Sequence, residues 1–460
     1  MTSGAEPPRG TGGGLRRILG PISVGCVGVG AAIGSGIFAT PHEAAKYLQS
    51  PWTILALWVV AGLITLLQTM VTAELATRMP RAGGEYQYLK QAYGPFAAFF
   101  FGWSFTIFIV GGGSGTIAAL FGDVTAELLR FGGAWASPLL GCAAILVVAG
   151  VNAVGLRTGA VTQNVLTFTK TAALIGIAIG AMAVSRRGVP VAEVAATSGA
   201  GGPVESFFLA LLPVFWSYTG ATDSAKMAEE TRDTSRSLPK ALCGSALLLT
   251  VVYLVYNYAL FCGASPEEMA SHPNVPAHVF IKAGYPAAAN VLLAIAALVC
   301  LGAISSTMLA NVRVMYAMAR DRLAPRAFGR MSNEQSPIAA IVLAAALACA
   351  FVINRRFEKI LRIYFLASAV LFGLTYLSLI IFRWRESRGA RSEGRIFRLP
   401  LAVPIAVFLV AIEAALAVNI IVSDIREKSP DSVYTGLMLA AMAGLYWLWR
   451  WRVRPEAITD

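Results

Sequence analysis

Charged side chains are scarce in this chain. Asp, Glu, Lys and Arg make up only 13% of its 460 residues, whereas hydrophobic residues make up 57%, and the mean hydropathy is +0.65. A soluble protein of this length needs a far more polar surface, so the composition excludes one. The formal charge of +12 does not indicate nucleic-acid binding, because the basic residues are dispersed between apolar segments instead of clustering on one face.

Residues that build metal, redox or catalytic sites are also few. The three histidines are too separated to suggest a metal site, and the six cysteines occur singly in apolar segments, as small core residues do. No serine or cysteine nucleophile has a spaced base, and no phosphate-binding loop occurs. We therefore expect no metal, no cofactor and no enzymatic activity. The residues concerned are His42, His272, His278, Cys26, Cys142, Cys243, Cys262, Cys300 and Cys349.

What the chain has in abundance is long apolar runs. Most are roughly 20 residues or longer, which is the length needed to cross about 30 Å of hydrocarbon as a helix. The sequence therefore predicts an all-α polytopic membrane protein with twelve transmembrane helices. The runs lie at about 20–48, 52–76, 95–128, 137–155, 160–184, 206–230, 241–263, 286–318, 337–353, 361–382, 400–422 and 432–450.

The basic residues indicate how these spans are oriented. If the N-terminus is cytoplasmic, 23 of the 37 Lys and Arg residues fall in cytoplasmic segments, 11 fall outside and three lie within spans. This bias predicts that both termini are cytoplasmic. Residues 1–18 are expected to form a disordered tail without a cleavable signal peptide, and residues 453–460 a short C-terminal tail.

Two of the predicted spans interrupt themselves at mid-membrane. Glycines at 34 and 36 and Pro41 weaken the first span. The sixth span mixes hydroxyls, a glycine and a carboxylate over residues 215–223. Backbone freed in this way is tolerated in lipid only when it is buried in protein or lines a cavity. The two segments are five spans apart, so they belong to oppositely oriented halves, and such pairs point to a transport site. The alternative is that the small residues only allow close helix packing.

Three motifs resemble a known family. The stretches at 34–41 (GSGIFATP), 74–86 (ELATRMPRAGGEY) and 228–232 (AEETR) are similar, in order and spacing, to the amino acid, polyamine and organocation transporters, and especially to the L-type amino acid transporters and related bacterial permeases. The resemblance covers about residues 20–385. It implies transport of a small organic substrate by alternating access.

The resemblance also implies a fold of the leucine-transporter type. Residues 19–190 would form a first repeat of five spans, with the first span discontinuous. Residues 203–385 would form an inverted second repeat, with the sixth span discontinuous. Residues 399–452 would add two C-terminal helices.

In this family the backbone at the two breaks holds the substrate. The resemblance implies that the amides of Ser35, Gly36 and Ile37 receive the carboxylate of an amino acid. Carbonyls from both breaks would receive its α-ammonium, since a zwitterion fits between a positive half-helix end and unsatisfied carbonyls. Trp216 matches an aromatic gate over the substrate. The expected binding residues are Ala32, Ile33, Gly34, Ser35, Gly36, Ile37, Trp216, Ser217, Tyr218, Thr219 and Gly220.

Charged residues are expected to support this site. Lys170 lies too deep in the fifth span for easy snorkelling. It matches a family lysine that stands where related transporters bind sodium, so that it either carries a coupling proton or acts as a fixed cation. Asp223 is a candidate for the gate or for a basic substrate group, and it is equally able to face Lys226 or solvent. Glu229 and Glu230 are expected to pair with Arg81 in an inner gate.

The expected substrates are neutral L-amino acids. Polyamines or cationic amino acids are the alternative within the same family, and they would favour several acidic residues in the cavity, where only Asp223 is obviously placed. A substrate sensor is the minor alternative. No disulfide-linked heavy chain is expected, because the loop from Arg130 to Ser137 has no cysteine. The expected location is the bacterial inner (plasma) membrane, as a monomer or homodimer, with the lipid bilayer as its other partner.

Overall fold

The computed structural model describes residues 15, 17–185, 202–332, 335–354, 357–389 and 396–452. Seventeen α-helices account for most of these residues. The α-helices are α1 Pro21–Ala32, α2 Gly36–Tyr47, α3 Pro51–Arg78, α4 Glu85–Tyr93, α5 Pro95–Ser104, α6 Ser114–Leu129, α7 Ala136–Val154, α8 Leu156–Val184, α9 Gly202–Tyr218, α10 Thr234–Gly263, α11 Pro266–Ser271, α12 Val275–Lys282, α13 Ala288–Arg320, α14 Ile338–Asn354, α15 Phe357–Ser387, α16 Ala402–Glu427 and α17 Asp431–Arg452.

Three further helical segments have tighter or wider turns. A π-helix, Phe105–Gly113, joins α5 to α6 into one continuous span, Pro95–Leu129. A 3-10 helix, Asp223–Glu230, follows α9, and a second, Arg326–Gly329, follows α13. The π-helix begins in an aromatic run and ends in three glycines. Wide turns of this kind are frequent at functional sites.

The described helices confirm an all-helical membrane protein. Nine spans are long and apolar enough to cross a bilayer, and the pair α1 and α2, bent by 43°, makes a tenth. Twelve spans would further require α14 and α9 with its 3-10 extension, which have 17 residues each in their α-helical parts. The predicted twelve spans and the inverted repeat therefore stay predictions, and the tails at 1–14 and 453–460 lie outside the described residues.

Burial separates central from peripheral helices. In the span Pro95–Leu129 and in α13, 72% of the most apolar window is buried inside the protein, compared with 28% in α7, 22% in α16 and 11% in α17. In a bilayer the exposed apolar side chains of the peripheral helices contact lipid. The two interrupted segments pack against α3, α8, α10 and α13, so they lie at the centre of the bundle.

Candidate functional site

The first break falls where the sequence predicted it. Helix α1 ends at Ala32 and α2 begins at Gly36, so residues 33–35 are outside both helices. The first amides of α2 have no carbonyl one turn earlier to bond. Among the described residues, no hydrogen bond is donated by the amides of residues 34–37. The start of α2 therefore presents unpaired donors and the positive end of a helix dipole.

The second break follows α9. Tyr218 ends the helix, and Gly220 turns the chain with φ of +100°, a conformation that favours glycine. The turn satisfies part of its own backbone, since the amide of Thr219 bonds the carbonyls of Phe215 at 3.1 Å and Trp216 at 3.2 Å. The second break is thus a compact turn, whereas the first leaves donors free.

The two breaks are in direct contact. A Cβ atom at Gly36 would lie 2.7 Å from Ser217 Oγ and 2.9 Å from Trp216 Cδ1. A Cβ atom at Gly220 would lie 2.6 Å from the Cβ atom of Ala31. The indole Nε1 of Trp216 donates to Ser35 Oγ at 3.1 Å. Both glycines are therefore needed for the close approach of the two interrupted segments.

A cavity of about 90 Å³ lies against both breaks. Its wall includes most of the sequence-predicted binding residues, together with Tyr364 and Phe365 of α15, whose rings pack edge-on to Trp216 with centroids 5.0 and 6.0 Å away. The predicted residues in the wall are Ala32, Gly34, Ser35, Gly36, Trp216, Tyr218, Thr219 and Gly220.

The other three predicted binding residues do not line the cavity. Ile33, Ile37 and Ser217 are fully buried behind its wall. The carbonyl of Ile33 accepts from Lys170 Nζ at 2.8 Å, and that of Ser217 accepts from Tyr253 Oη at 2.7 Å. Both residues were predicted to bind the substrate, but their carbonyls already accept hydrogen bonds from the protein.

Lys170 is placed against the first break. Its ammonium donates to the carbonyls of Gly30 and Ile33, and its side chain is fully buried. Gln163, Thr167 and Lys170 share one face of α8, and Thr167 Oγ1 donates to the carbonyl of Cys26 at 3.0 Å. Lys170 therefore bridges two backbone carbonyls at the first break, and its role in coupling remains a prediction.

A second buried lysine, Lys226, pairs with Asp223, which was one of the alternatives that the sequence left open. Lys226 Nζ lies 2.8 Å from Asp223 Oδ1 and 3.3 Å from Glu85 Oε2, and it stands 5.0 Å from the centre of the Phe105 ring. Asn311 Nδ2 donates to the other oxygen of Asp223 at 3.2 Å. Asp223 thus lines the cavity, but both of its oxygens are occupied. The sequence placed Asp223 near Lys226 and gave no signal for Glu85.

The predicted partner of Glu229 and Glu230 was wrong. Glu229 pairs with Arg320 at 3.0 Å and accepts from the amide of Ala82 at 3.0 Å, while Glu230 pairs with Arg313 at 3.2 Å. Arg81 is exposed, and no ion pair of its side chain occurs within the described residues. The reason is that Arg81 precedes a glycine turn in a connection, whereas α13 carries its arginines directly over the end of the 3-10 helix.

The ion pairs of Glu229 and Glu230 lie at the face of the bundle where α1 begins, since the amide of Leu19 donates to the carbonyl of Glu230 at 3.0 Å, and we call it the N face. The opposite face, where α2 ends, has a vestibule of about 720 Å³. Helices α2, α6, α9, α13, α15 and α16 contribute to its wall, which contains His42 and the charged residues Glu43, Lys46, Asp123, Glu127 and Arg362. Ion pairs therefore join the 3-10 helix to α13 at the N face, and beside the vestibule Arg362 of α15 pairs with Asp424 of α16 at 2.7 Å.

Comparison with known proteins identifies the family of this chain. The family model for amino acid permeases matches residues 19–444. The chain belongs to the amino acid permease family. It is 28% identical over 407 residues to the b(0,+)-type amino acid transporter 1 of Mus musculus, which covers 88% of this chain and 82% of the relative.

Other relatives include a bacterial one. The serine/threonine exchanger SteT of Bacillus subtilis is 25% identical over 393 residues, covering 84% of this chain and 87% of the relative. The large neutral amino acids transporter small subunit 2 of Homo sapiens is 26% identical over 394 residues, covering 84% and 74%. The permease family and these relatives confirm an integral membrane protein of amino acid transport and exclude an enzyme.

Proposed function

We propose that this permease is a secondary active carrier or exchanger of L-amino acids, with neutral amino acids among its substrates. The observation that supports this most directly is the pair of broken helices that line one cavity, one of them with unpaired amides. In transporters, such paired interruptions hold the substrate while the protein opens to either side. The ion pairs that join the 3-10 helix to α13 fit a state that is closed at the N face.

The proposed binding mode uses backbone groups more than charged side chains. The substrate carboxylate is held by the amides of Ser35, Gly36 and Ile37, at the positive end of α2. The α-ammonium is held by carbonyls near Ala32 and the turn after Trp216. The indole of Trp216 covers the bound substrate and moves when the site opens.

Lys170 has two possible roles in this proposal. It either replaces a bound sodium ion as a fixed positive charge or carries a proton that is coupled to transport. Asp223, Glu229 and Glu230 act in the gate at the N face, with Arg313 and Arg320 in place of Arg81. We further propose twelve spans in two inverted repeats of five plus two C-terminal helices, with both termini in the cytoplasm and the chain in a bacterial inner membrane without a disulfide-linked heavy chain.

Counterflow in proteoliposomes tests this function. Purified protein is reconstituted with one unlabelled neutral L-amino acid inside, and uptake of the labelled amino acid is measured. We expect uptake to rise with the internal amino acid. Gly36→Ala should reduce uptake by about tenfold or more, because the added methyl group would collide with Ser217 and Trp216. A tenfold loss is about what one hydrogen bond to a charged group contributes.

Gly150→Ala is the matched control. Gly150 lies in the interior of α7, and a Cβ atom there would have no neighbour within 4 Å, so its uptake should equal that of the wild type. Uptake of diamines alone would favour a polyamine carrier. Binding of an amino acid without any flux would favour a sensor, and either result would overturn the proposed carrier.

A further inference from the structure

A second carboxylate, besides that of Asp223, lines the cavity from a helix outside the two broken segments. Glu413 lies at the middle of α16 and lines the cavity wall, and 7% of its surface is exposed. Its closest polar partner is the neutral amide of Gln68 on α3, at 3.4 Å. No ion pair of Glu413 occurs in the described parts of the chain.

This carboxylate is unusual in the environment that it occupies. An ionised carboxylate in an apolar interior is costly unless a cation or several donors compensate it. Buried acidic residues within membrane spans therefore mark functional sites by default. One long hydrogen bond from an amide does not compensate a full charge, so Glu413 either is protonated or needs a cation beside it.

The other charges near the cavity are already matched. Among the described residues of the wall, Asp223 and Glu413 are the only charged side chains. Asp223 is held by Lys226 and Asn311, and the ammonium of Lys170 is bound to backbone carbonyls. Glu413 is thus the charge that remains available to a ligand.

A second unused acceptor lies in the same wall. The side-chain oxygen Oδ1 of Asn311 is buried and has no hydrogen-bond partner among the described residues, although its amide nitrogen donates to Asp223. A carboxylate with a single long hydrogen bond and an amide oxygen without a donor match a ligand that brings several N–H groups. Ammonium and guanidinium groups have that chemistry.

We propose that Glu413 is a subsite for a cationic side chain, so that the carrier takes dibasic amino acids as well as neutral ones. The proposal rests on the proposed amino acid carrier. The broken helices hold the α-carboxylate and α-ammonium, while α16 stands apart from them and receives the far end of the side chain. A neutral substrate leaves Glu413 protonated, and a cationic one binds its carboxylate directly.

The test compares two substrates that differ by one charged group. L-Lysine and L-norleucine have the same straight four-carbon side chain, but only lysine ends in an ammonium. Counterflow of both is measured with the wild type and with Glu413→Gln. We expect the wild type to transport both, and the variant to lose lysine uptake by about 10- to 100-fold while norleucine uptake changes by less than about twofold.

Glu267→Gln is the matched control, because it makes the same chemical change at an exposed position in α11. It should leave both substrates unaffected. Norleucine uptake by Glu413→Gln also reports that this variant is folded, and Glu413→Asp should restore part of the lysine uptake because it keeps the charge.

The outcomes separate the subsite from the carrier function. Wild-type uptake of norleucine without lysine overturns the subsite and leaves the carrier intact. An equal loss of both substrates in Glu413→Gln also overturns the subsite, in favour of a proton carrier or a structural role. If Glu413→Gln fails to fold, binding is measured with Glu413→Asp. Equal affinity of that variant for lysine and norleucine would likewise overturn the subsite. No wild-type flux of either amino acid overturns the carrier itself.

Discussion

The regions around the two buried lysines use the same residue in opposite ways. Lys170 and Lys226 are both fully buried. Lys170 lies between α8 and α1 and bonds only backbone carbonyls, those of Gly30 and Ile33. Lys226 lies near the N face and is shared by the carboxylates of Asp223 and Glu85, below the ring of Phe105.

The difference predicts different roles for the two lysines. Lys226 neutralises charges that belong to the protein, so its removal leaves two buried carboxylates with one fewer positive charge. Lys170 neutralises no carboxylate and only supports the loosened backbone beside the cavity. Gly302 of α13 leaves room for it, since a Cβ atom there would lie 3.3 Å from its Nζ atom. We therefore expect Lys170 to control transport and Lys226 to control stability.

The largest effect is expected for Lys226→Met. Removing one partner of a buried ionic group typically costs about 3–5 kcal/mol, because the remaining charge is uncompensated. The measurement is thermal unfolding of the purified protein in detergent. Lys90→Met is the control: its ion pair with Asp321 is short, at 2.6 Å, but partly exposed, so we expect a loss below about 1 kcal/mol.

A triple variant sharpens this prediction. Combining Lys226→Met with Asp223→Asn and Glu85→Gln removes the uncompensated charges, and we expect it to regain more than half of the stability lost by Lys226→Met alone. If Lys226→Met is as stable as Lys90→Met, or if the triple variant regains nothing, the ionic account of this region is wrong.

Lys170→Met comes next in expected size for stability. It leaves two buried carbonyls without a donor, which costs about 1–3 kcal/mol, and it loosens the first break. Counterflow of a neutral amino acid should fall by about tenfold or more, since the amides at the break lose their position. The comparison between the two lysines fails if Lys226→Met, in the fraction that remains folded, loses as much transport per molecule as Lys170→Met does.

The sequence predicted one of these regions better than the other for a physical reason. Glycines at 34 and 36 predict free carbonyls in the first span, and a lysine deep in another span has few other partners. The contact of Lys170 with these carbonyls therefore follows from local signals. The partner of Lys226 does not. Glu85 lies 141 residues away in a short helix, and only tertiary packing brings it to the 3-10 helix.

The same reasoning explains the other gaps in the predicted site. The two helix breaks overlap the segments at 34–36 and 215–223 that the sequence singled out, since helix breakers act locally, and the binding role of these segments remains a prediction. Which carbonyls face the cavity was not predictable, because Tyr253 and Lys170 come from other helices to occupy those of Ser217 and Ile33. Glu413 belongs to a helix beyond the segment that carried the family resemblance, so only the structure relates it to the cavity.

The smallest effect is expected for Arg81→Ala, which tests the corrected gate. Arg81 is exposed and makes no ion pair within the described residues, so the free energy of unfolding should change by less than about 0.5 kcal/mol. Arg313→Ala should cost several times more, because it leaves the buried carboxylate of Glu230 without its cation. Thermal unfolding of both variants gives the comparison. Equal losses would restore Arg81 as the partner of Glu230 and would place the gate in the connection between α3 and α4 instead of on α13.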